Sequence, residues 1–133
     1  MASRTGTLKS VSVLRGEDDQ APGEAIVRNY AVQVQNDTAS TVDGSADTLD
    51  IATLGAAIKS ALGESKTITV VSVSLMRPAL VGSTVYGATV AMSSTTLQIV
   101  PKTAAAWSAN AVLPANSTAT NRPYTVFVSA LVS

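Results

Sequence analysis

The sequence predicts a single, mainly β domain: an antiparallel two-sheet sandwich with one α-helix at about 48–62. Three observations predict it. Six stretches are rich in β-branched residues and bounded by Gly, Pro or Ser/Asn/Thr clusters. Only one stretch repeats apolar residues at helical spacing. Strands and helices do not alternate as a βαβ layout requires. The length of 133 residues suits one domain with a modest core, and neither an internal repeat nor a composition break marks a linker.

The elements follow in chain order. Residues 1–6, MASRTG, lack apolar periodicity and are expected to form a short N-terminal arm, ordered by contact with another subunit. TLKSVSVLR, residues 7–15, reads as a first strand that ends at the acidic, Gly- and Pro-bearing turn 16–23. In residues 24–35, Ile26, Tyr30, Val32 and Val34 share one parity and Asn29, Gln33 and Gln35 the other, the mark of a strand with one buried face. A polar loop, 36–46, leads to the helix. There Ile51, Leu54, Ile58 and Leu62 form the docking stripe, Asp47 and Asp50 are expected at N-cap and N3, and Gly63 stops the last turn. KTITVVSVSLMRP is the strongest strand and stops at Pro78. Residues 84–92 and 95–100 are the next two strands. The stretch 102–122 reads as a long loop with room for one short strand, and YTVFVSALV, 124–132, closes the chain.

The composition restricts chemistry. With no Cys, disulfides, thiolate metal sites and cysteine nucleophiles are excluded; with no His, neutral-pH acid–base work would need paired carboxylates, Lys or Tyr. Glu17, Asp18 and Asp19 sit together on a turn, where solvation explains them, although a subunit contact could turn Asp18 or Asp19 into an ion ligand. Asp43, Asp47 and Asp50 precede or open the helix, where its dipole favours carboxylates, and no calcium-loop spacing accompanies them. Serines are many, but neither a GxSxG nor an SxxK pattern occurs, and no glycine-rich loop precedes Lys-Ser or Lys-Thr. The sequence therefore predicts no catalytic, cofactor-binding or metal-binding residues, no cofactor and no enzyme. Asn36-Asp37-Thr38 and Asn116-Ser117-Thr118 match the glycosylation acceptor pattern, as chance allows in a Ser/Thr-rich chain.

Only 14% of residues are charged, well below the roughly 25% of ordinary soluble domains, which suits an exterior covered by neighbouring subunits. The nine acidic residues all lie at or before Glu64, while Lys66, Arg77, Lys102 and Arg122 follow it, so the halves carry −4 and +4. Arg4 and Lys9 alone do not make a basic arm, which leaves room only for weak, non-specific nucleic-acid binding. Trp107 and Phe127 are expected as core or interface anchors. The first residues hold no apolar run and no segment approaches the length of a membrane span, so the chain is expected to be soluble, untargeted and without a membrane partner.

The helix, the strand KTITVVSVSLMRP, the run Pro78-Ala-Leu-Val-Gly-Ser-Thr-Val-Tyr-Gly and the terminal YTVFVSALV appear in an order that resembles the single jelly-roll shell proteins of small icosahedral viruses and phages, over residues 45–133. The resemblance implies a jelly-roll-like sandwich and a virion protein, coat or cement (decoration), with copies of itself or a major capsid protein as partners. Two departures matter. The missing basic arm favours a cement role, and the predicted C-terminal strand stands where RNA-phage coat proteins end in helices. The competing reading is a carbohydrate- or receptor-binding β-sandwich, such as a phage fibre or adhesin domain, for which five aromatic residues are few.

Overall fold

A computed structural model describes residues 2–16, 26–37, 47–103 and 120–133. In chain order the elements are β1 (Ala2–Thr5), β2 (Thr7–Gly16), β3 (Ile26–Gln35), β4 (Asp47–Ile51), α1 (Leu54–Leu62), β5 (Ile68–Arg77), β6 (Ala79–Val81), β7 (Thr84–Ser93), β8 (Thr96–Thr103) and β9 (Tyr124–Val132). They form a four-stranded sheet, β2-β3-β9-β5, and a five-stranded sheet, β1-β4-β8-β7-β6. The chain is thus mainly β, a sandwich with one helix, as expected. All pairings are antiparallel except β1 with β4, which is parallel.

One core serves both sheets. The inward parity of β3 (Ile26, Tyr30, Val32, Val34) and β9 (Tyr124, Val126, Val128, Ala130, Val132) meets Leu49 and Ile51 of β4 and Leu97 and Ile99 of β8. Period-two alternation makes this layer, because a residue and its cross-strand partner point to the same side. The sheets are also joined covalently at two corners. Gly6 carries the chain from β1 to β2 and Pro78 carries it from β5 to β6, each linker one residue long. Corners of this kind let one strand serve two sheets. At the first, a Cβ on Gly6 would lie 2.8 Å from Val34 Cγ1, so a side chain there would press into the core. Its N–H donates to the Asp50 carbonyl at 2.8 Å, which carries the β1–β4 ladder up to the bend.

Three expectations need correction. Residues 1–6 are expected as an arm ordered by another subunit, but Ala2–Thr5 run along β4 of their own chain, because that edge offers backbone partners for a segment with no apolar pattern. The helix is expected from 48, with Asp47 and Asp50 capping it, but it begins at Leu54 and both aspartates belong to β4. Pairing decides this: β4 lies between β1 and β8, so each side of its backbone has a partner, and Leu49 and Ile51 fit the core at strand spacing. The helix starts after Thr53, whose left-handed conformation (φ 47°) carries no side-chain cap, and the Leu54 N–H donates to the Thr95 carbonyl of the β7–β8 turn. Gly63 ends it at φ 65°, as expected. In the docking stripe Leu54 and Ile58 are fully buried, Ile51 is buried from β4, and Leu62 is 36% exposed. Strand β6 was not expected at all.

The Tyr124 hydroxyl donates to the Gly87 carbonyl at 3.1 Å, linking β9 to β7 across the sandwich, and burial pushes its phenol well above the usual range. Tyr124→Phe should cost about 1 kcal/mol in urea unfolding, the usual net value of such a bond. No loss of stability would mean that the carbonyl is satisfied without it.

Candidate functional site

Of the candidate acid ligands, only Asp47 and Asp50 lie among the described residues, both in β4. Glu17, Asp18, Asp19 and Asp43 lie outside the described residues, as do Trp107, Asn116 and most of the expected loop 102–122. Among the described residues, no group of three His, Cys, Asp or Glu side chains could hold a metal ion. No described helix is long and apolar enough to cross a membrane. Asn36 is 1% exposed, so its side chain is not presented on the folded surface.

A cavity of about 370 Å³ opens where the start of α1, the start of β5 and the β7–β8 turn meet. Thr53, Gly55, Ile68, Val70, Met92 and Thr95 help to line it, and no titratable side chain does. It can accommodate a small or apolar group but offers no acid, base or charge-stabilising group for a reaction.

The cations are dispersed. Arg28 pairs with Glu64 at 3.5 Å beside the end of α1. Backbone N–H groups of Lys66 and Ser65, with Arg28 nearby, hold the Glu64 carboxyl below its usual range. The Arg122 Nε donates to the Pro78 carbonyl at 3.2 Å, tying the second corner to the segment before β9. Lys102 is buried on the outward side of the five-stranded sheet. No basic stripe forms among the described residues.

What remains is a surface: the outward side of β2-β3-β9-β5. Register assigns its rows. Val27, Leu131 and Thr69 stand side by side; next come Arg15, Asn29, Ser129 and Ser72; then Ser12, Ala31, Phe127 and Ser74; then Ser10, Gln33, Thr125 and Arg77; and Thr7 with Gln35 at the end. Val27 and Leu131 are exposed, Phe127 and Ala31 are half-buried, and the hydroxyl residues of β2 and β5 around them are exposed. The two central strands of this face therefore mix apolar and uncharged polar side chains, and its two arginines stand on the edge strands. Rim side chains bond one another, as Ser10 Oγ does to Gln33 Oε1 at 3.0 Å, and Asp37 at one end takes bonds from the Thr7 hydroxyl and the Gln35 amide. Two charged residues fall in these rows by register, Arg15 on β2 and Arg77 on β5, both on edge strands. Buried polar residues stand on the outward side of both sheets, Thr125 on this one and Thr48 and Lys102 on the five-stranded one.

Both edges of this sheet are interrupted. β2 carries irregularities at Leu8/Ser10 and Val13/Arg15, and β5 at Val70/Ser72 and Leu75/Arg77. The residues skipped by the β5 ladder, Val71 and Met76, are 62% and 50% exposed. Bulges twist an edge away from simple strand addition, so association through these edges is disfavoured.

Sequence reading assigned Phe127 to core or interface, and the structure puts it on this face. The face itself was missed, although the odd-numbered residues of β3 and β9 carried its signal: Asn, Ala, Gln, Ser, Thr and Phe without a charge. Comparison with protein-family models, curated proteins and solved structures gives no match.

Proposed function

We propose that this chain is a structural virion protein that assembles with copies of itself, or with a major capsid protein, as the coat or the cement of an icosahedral shell, and that it is not an enzyme. The observation that supports this reading is the outward face of the four-stranded sheet. Its central strands β3 and β9 carry no charged residue in the outward rows from Val27 to Gln35, which suits a surface that another protein covers, because charged groups are costly to desolvate at the centre of a contact. The resemblance to jelly-roll shell proteins supports the same reading from the sequence side. The low overall charge fits a subunit enclosed by neighbours.

The test is the size of what the pure protein forms, by sedimentation and electron microscopy. A coat subunit gives large closed particles, and a cement subunit gives small oligomers that bind purified shells. A monomer that ignores shells and binds glycans would replace this reading with the carbohydrate- or receptor-binding module. Because only 14% of residues are charged, raising salt from about 0.05 to about 1 M should leave the assembly intact, the Debye length falling to about 3 Å. Dissociation over that range would instead make the charge asymmetry of the two halves the organising force.

A further inference from the structure

We draw no further inference here: the strongest candidate, the cavity of about 370 Å³ where the start of α1, the start of β5 and the β7–β8 turn meet, is lined by uncharged groups around the first turn of a helix, and nothing in the structure shows what would fill it.

Discussion

Replacing Gly55 by alanine is expected to lower stability by about 2 kcal/mol or more, although alanine is the better helix former. Gly55 lies in the first turn of α1, where the helix meets β5. A Cβ at this position would stand 2.3 Å from the Ile68 carbonyl oxygen. Two effects oppose each other. Exchanging Gly for Ala in a helix gains about 1 kcal/mol, but relieving the overlap requires moving backbone, since the obstructing atom is a main-chain carbonyl and cannot rotate away. The helix would have to lift from β5, and that would loosen Leu54 and Ile58, both fully buried against the sheets. The displacement costs more than the propensity returns. A urea midpoint that stays level or rises in the Gly55→Ala variant would show that α1 does not sit this close to β5.

Leu54→Ala and Leu62→Ala should differ sharply, the first costing about 2 to 5 kcal/mol and the second less than about 1 kcal/mol. By sequence the two leucines are equivalent, members of one stripe at helical spacing. In the fold they are not. Leu54 opens the helix with no exposed surface, so removing its side chain leaves a hole among neighbours that are held by both sheets. Leu62 closes the helix at 36% exposure, where solvent fills the space left by truncation. Denaturant unfolding of both variants, measured side by side, checks the orientation of α1. Equal losses would mean that the helix is rotated or longer than Leu54–Leu62.

The same pair of residues shows how far the sequence reaches. Alternation along 26–35 was enough to identify β3 and its buried parity, because a strand with one covered face must separate apolar from polar side chains at period two, and the apolar run 124–132 identified β9 as a strand. The left-handed stop at Gly63, the strand ending before Pro78 and the sandwich class were legible for equally local reasons. What the sequence could not decide was competition between local preference and distant partners. Asp47–Ile51 carries both a capping pattern and a strand pattern, and the choice fell to β1 and β8, which lie far away along the chain and offer backbone partners on both sides. Strand β1, with no apolar pattern of its own, exists only because the edge of β4 can receive it. The candidate interface follows the same rule. The uncharged residues of β2, β3, β5 and β9 look like scattered polar positions until register aligns them into rows, because a surface belongs to neighbouring strands and only tertiary structure determines which strands are neighbours.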